Sequence, residues 1–230
     1  MRRIRWFGAD WPVSLRTLAA KMRANPFKED SLDGFIVDRV REGSVEGRFI
    51  EKISYQETIT NPFGEERVFD HVVYRQLEFN LSATFPNIEL WDAPRSTQVY
   101  VNKLLEFSNF AVSIDPISVD LIQWANVFES TVRGKITIDS IQISGLEIER
   151  GVTAKIVVSG DKDVRDALQR IAKAKRYELE IVQLKLFSDG VLVPIHLTNT
   201  GSVRLEAAHI DAFLPGLRSS LPKARRNGTP

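Results

Sequence analysis

Between residues 160 and 206 the hydrophobic period of this chain changes once, from that of a helix to that of a strand, and the change narrows the folds open to it. Val164, Leu168 and Ile171 stand at i, i+4 and i+7. That spacing predicts a helix from Asp161 to about Lys175, with Asp161 or Asp163 placed to accept its first free backbone N–H groups. From Tyr177 the period is two: Tyr177, Leu179 and Ile181 share one face, and Val191, Val193, Ile195 and Leu197 form a second alternating run. Three strands are predicted, over 177–187, 191–198 and 202–206. Ser188-Asp189-Gly190 and Asn199-Thr200-Gly201 supply the residues that tolerate positive φ, as short antiparallel loops require. One apolar helix stripe against one apolar sheet face makes a two-layer core.

The same reading runs through the rest of the chain. Residues 3–8 predict a strand, and Asp10 and Pro12 mark the start of a helix carrying Leu15, Leu18, Ala19 and Met22, stopped by Asn25-Pro26. Strands are expected over 35–41, 45–59, 67–83 and 87–91, the second and third forming a long projecting hairpin with Pro62 and Phe63 at its tip. Within 67–83 the apolar residues change face, which predicts either a bulge or a stretch buried on both sides. A helix is expected over 96–107. Asp115-Pro116 reads as the start of another, with Ile117, Leu121, Trp124, Ala125 and Phe128 along one stripe. Over 134–148 the apolar phase slips twice, with Ser144-Gly145 at the second slip, as in a bulged strand, and 152–158 is its return strand.

The expected fold class is therefore α+β, antiparallel sheets with helices packed on one face, open to a division into two related two-layer halves. The expected domains are an N-terminal half, 1–110, with the long hairpin, a C-terminal half, 111–210, and a basic flexible tail, 211–230.

The chain has 230 residues, no cysteine and a formal charge of +1. Without cysteine it forms no disulfide, thiolate zinc site, iron–sulfur cluster or cysteine nucleophile. No apolar run approaches the roughly 18 residues of a membrane span, and Met1-Arg2-Arg3-Ile4-Arg5 leads into no apolar signal core, so a soluble cytoplasmic protein is expected. After Asp211 only basic charges remain, at Arg218, Lys223, Arg225 and Arg226, leaving 27 basic and 30 acidic residues for the rest.

Little in the chain is suited to chemistry. His71, His196 and His209 are not spaced as joint metal ligands, so neither a metal nor another cofactor is expected. His196-Leu197-Thr198 resembles one half of the paired His-x-Thr signature of the 2H phosphoesterases, which would make His196 an acid or base and Thr198 a phosphate-orienting hydroxyl; the second copy is missing. Gln183-Leu184-Lys185 resembles the catalytic Glu/Gln-x-Lys of restriction-type nucleases, whose metal needs an acidic residue on a neighbouring strand. Phosphate-loop and dinucleotide fingerprints are absent from the sequence.

The expected function is that of a non-catalytic interaction subunit of a larger assembly, using an exposed sheet face or the Pro62-Phe63 tip, with a protein partner or a second copy of the chain. The alternative is nucleic-acid binding through Lys162, Arg165, Arg170, Lys173 and Arg176 of the basic helix together with Arg218, Lys223, Arg225 and Arg226. A second alternative is a divergent phosphoesterase around His196.

Overall fold

The computed structural model describes residues 1–173 and 175–226. In chain order the elements are β1 (Arg2–Asp10), α1 (Leu15–Ala24), β2 (Asp33–Arg41), β3 (Ser44–Thr60), β4 (Glu66–Ser82), β5 (Ile88–Trp91), α2 (Gln98–Phe107) and β6 (Ser113–Pro116). They continue with α3 (Leu121–Thr131), β7 (Lys135–Glu149), β8 (Val152–Ser159), α4 (Arg165–Ala172), β9 (Glu178–Ser188), β10 (Val191–Thr198), β11 (Ser202–Leu205) and α5 (Ile210–Ala224). The fold is α+β with antiparallel strands. No helix among the described residues is long and apolar enough to cross a membrane. Two compact units are present, one of Ala9–Ile114 and one of Met1–Gly8 with Asp115–Pro230. The first strand thus belongs with the C-terminal strands rather than with the N-terminal half, because Arg2 to Arg5 pair in register with Leu205 to Ser202.

In the unit of Ala9–Ile114 the strands run β2-β3-β4-β5. Its core is aromatic: Phe35, Phe49 and Phe79 surround the buried Tyr100 of α2, with ring centroids 5.7 to 5.8 Å from it. Leu15, Leu18, Ala19 and Met22 bury one face of α1. Its cap is Ser14, whose side chain accepts from Thr17 N, and not Asp10. Ser14 stands one residue before the apolar stripe, at the distance where a short side-chain oxygen reaches the third amide of the helix.

In the other unit the strands run β1-β11-β10-β9-β7-β8. Ile4 and Trp6 of β1, Val203 and Leu205 of β11, Val193, Ile195 and Leu197 of β10, and Val182, Leu184 and Leu186 of β9 are buried beneath the helices. Trp6 meets Trp124 of α3 edge-on at 5.9 Å, and the Trp124 indole N–H donates to Leu217 O and Ser220 Oγ of α5.

Several expectations meet a different structure here. The helix predicted from Asp115-Pro116 begins at Leu121, with the Asp120 carboxylate accepting from Ile122 N and Gln123 N. An aspartate directly before the stripe satisfies two orphan donors, which one five residues earlier cannot. Ile117 is buried all the same, against Gly201. The basic helix is shorter than 161–175: Val164, Leu168 and Ala172 are buried, Ile171 is 46% exposed, and Lys173 adopts a left-handed backbone that ends it. Ala174, and 227–230 of the expected tail, lie outside the described residues.

Residues 211–224, expected as flexible tail, belong to α5. Ile210, Leu214, Leu217, Leu221 and Ala224 form a buried stripe along it, and Pro215 and Pro222 fall on its exposed side, where a proline disturbs no core packing. Asp120 N donates to Ala224 O and Arg226 N to Ser118 O, pinning the end of α5 to the start of α3. The phase slip at Ser144-Gly145 is a register shift between Ile143 and Leu146 in the β7–β8 ladder, with Gly145 at φ 66°.

Candidate functional site

The most unusual feature of the chain is the outer part of the β3–β4 hairpin. The two strands pair without a register shift from Ser44↔Ser82 to Thr60↔Glu66. The change of face within β4 is therefore neither a bulge nor two-sided burial. β2 leaves off opposite Glu51 and β5 opposite Glu78; Lys52 N still donates to Leu32 O and Phe27 meets Tyr74 edge-on at 6.2 Å, and beyond the Lys52/Tyr74 pair the hairpin is a two-stranded ribbon. Its apolar residues lie open to solvent on both faces.

One face carries Ile53, Tyr55, Glu57 and Ile59 against Val73, His71, Phe69 and Arg67; the other carries Lys52, Ser54, Gln56 and Thr58 against Tyr74, Val72, Asp70 and Val68. Phe63 at the tip is 91% exposed, and Tyr55, Phe69, Val72 and Tyr74 are about half exposed. Pro62 sits beside Phe63 in a turn that the Asn61 side chain closes by accepting from Phe63 N and Glu65 N. Polar cross-strand pairs keep the ribbon in register: His71 stacks on Tyr55 at 5.1 Å and reaches the Glu57 carboxylate at 3.0 Å, and Gln56 donates to Asp70.

The predicted basic surface is partly neutralised. Arg165 forks onto both carboxylate oxygens of Asp163 and donates to Asn126, and this bidentate pair raises the guanidinium pKa. The Asp163 carboxyl is held below its ordinary value despite its burial, by Arg165 and by the amides of Arg165 and Ile138. Lys162, Arg170, Lys173 and Arg176 are exposed around α4; Arg218 and Lys223 are on α5, and Arg225 forms a backbone bridge with Val119.

His196 lies on the helix-free face of β10, directly opposite Gln183 of β9 and Arg204 of β11. Burial and then the Arg204 charge push its pKa down, against a smaller upward pull from Asp139. Thr198 shares that face and hydrogen-bonds Thr200. The acid beside the Gln183-Leu184-Lys185 triplet is Asp139, 2.9 Å from Lys185 Nζ, while Asp163 serves Arg165. Sequence spacing did not reveal Asp139, because it sits at a register shift of the β7–β9 ladder, separated from the triplet by β8 and α4. No group of three or more metal-binding side chains occurs among the described residues.

The chain matches no protein-family model and no curated protein. What these surfaces can do follows from their chemistry.

Proposed function

We propose that the chain is a non-catalytic interaction subunit that docks on a protein partner through the β3–β4 ribbon. The observation that carries this reading is the two-sided exposure of apolar side chains on a ribbon that has no neighbouring strand. An isolated two-stranded hairpin is only marginally stable in water, and a contiguous exposed apolar patch is characteristic of a surface that another molecule covers. Between residues 51 and 75 there are five acidic and three basic residues, a balance that repels phosphate and suits a partner with an apolar, mildly basic groove.

Replacing residues 54–72 by Asn-Gly closes the hairpin at the Ile53/Val73 pair with a two-residue turn. The variant is expected to fold and to lose assembly, measured by light scattering over a concentration series and by photo-crosslinking from position 69 in native extract. A full-length chain that remains monomeric and gives no adduct from position 69 overturns the reading.

A further inference from the structure

A second surface, in the unit of Met1–Gly8 with Asp115–Pro230, faces away from α3 and α5. β1 alternates Arg3 and Arg5 on this side with Ile4 and Trp6 beneath the helices. Strand register then sets Arg3 beside Arg204, Arg204 beside His196, and His196 beside Gln183. Neighbouring strands are about 4.8 Å apart, so this row of donors crosses four strands over roughly 14 Å. A single inorganic phosphate spans only part of it, whereas a phosphodiester chain laid across the strands meets each side chain in turn.

Lys185 is matched by Asp139 and Lys155 by Glu180, but Arg204, His196 and Gln183 make no side-chain hydrogen bond or ion pair among the described residues. Arg5 lies with its guanidinium 4.7 Å from the Phe7 ring centroid, and its Nε has no hydrogen-bond partner. Farther along the same face Phe187 and Leu192 pair across β9 and β10, 56% and 54% exposed, a ledge on which a base can stack.

We infer that this helix-free face binds single-stranded nucleic acid, with Arg5 and Arg204 on phosphates, His196 and Gln183 donating beside them, and Phe187 under a base. Donors on a line attract a polyanion whose affinity falls with salt as bound counterions are released. This surface shares no residue with the ribbon, so the two readings stand or fall independently.

Fluorescence anisotropy of a labelled oligonucleotide of about 20 nucleotides, as DNA and as RNA, at about 50 and 200 mM salt tests the inference. The full chain is expected to bind with a steep salt dependence. The double variant Arg5→Gln/Arg204→Gln is expected to bind at least about tenfold more weakly with a salt slope lower by about two, one per lost phosphate contact. Phe187→Ala is expected to weaken binding without changing that slope. Arg170→Gln/Lys173→Gln and the chain with its ribbon shortened are expected to bind as the parent does, and thermal melts confirm folding of each variant. Salt-insensitive or absent binding by the parent chain, unchanged binding by the double variant, or equal binding to a duplex of the same length overturns it.

Discussion

His196 and Arg204 stand directly opposite each other in the β10–β11 ladder, on the face that carries no helix. Burial, and after it the Arg204 charge, depress the His196 pKa below its ordinary value of 6.5. The unfolded chain therefore holds more protons than the folded one between the folded and unfolded pKa values, and stability rises with pH across that window. Urea denaturation at about pH 5 and about pH 7.5 is expected to show the wild-type chain losing more stability in acid than His196→Gln does, with Arg204→Gln narrowing the difference. An equal loss in all three excludes this histidine as the source.

Tyr100 is 1% exposed among the Phe35, Phe49 and Phe79 rings, and its hydroxyl has no hydrogen-bond partner. Burial raises its pKa and keeps the phenol neutral. A buried hydroxyl without a partner costs about 1–3 kcal/mol of desolvation, so Tyr100→Phe is expected to stabilise the chain by about 1 kcal/mol. A raised urea midpoint at unchanged slope is the measurement. A destabilised variant shows that the hydroxyl is satisfied in solution.

The Trp124 indole ties α3 to α5 by two hydrogen bonds and packs on Trp6. Trp124→Phe keeps the aromatic packing in part but removes the donor from Leu217 O and Ser220 Oγ; it is expected to cost about 2 kcal/mol, against about 3–5 kcal/mol for Trp124→Ala. Denaturation of the two variants checks the order, and a Phe variant as costly as the Ala variant assigns the whole effect to the hydrogen bonds.

The β3–β4 ladder has two environments along one register. From Ser44 to Lys52 neighbouring segments and buried residues such as Phe49 and Leu77 hold it, the Lys52 amide donating to Leu32 O; from Ile53 to Thr60 it is a solvated ribbon. Amide hydrogen exchange of the isolated protein is expected to be at least about tenfold faster in the second stretch, since its local opening requires no exposure of core. Equal protection along both stretches shows that another contact already covers the ribbon.

The strands that follow the basic helix were legible from sequence because each buries one face, and period-two alternation with glycine-bearing turns has few other solutions. Helix ends were less legible. Ser14 and Asp120 cap α1 and α3 where Asp10 and Asp115-Pro116 also fit the local signals, and only packing decides where a helix can begin. α5 was hidden by two prolines and four terminal cations, since local composition argues for a tail until Leu214, Leu217 and Leu221 have a core to enter.

What the sequence determined by itself was the periodicity of each segment, and with it the two-layer α+β class, the long hairpin and the scarcity of reactive groups. Register and neighbours belonged to the tertiary structure. Tyr55 and Phe69 read as ordinary strand residues until β2 and β5 prove too short to flank them. Arg5, Arg204 and His196 are scattered along the chain until strand pairing gathers them on one face. The reason is physical: side-chain alternation is set locally by backbone geometry, whereas the identity of a neighbour depends on which distant segments meet.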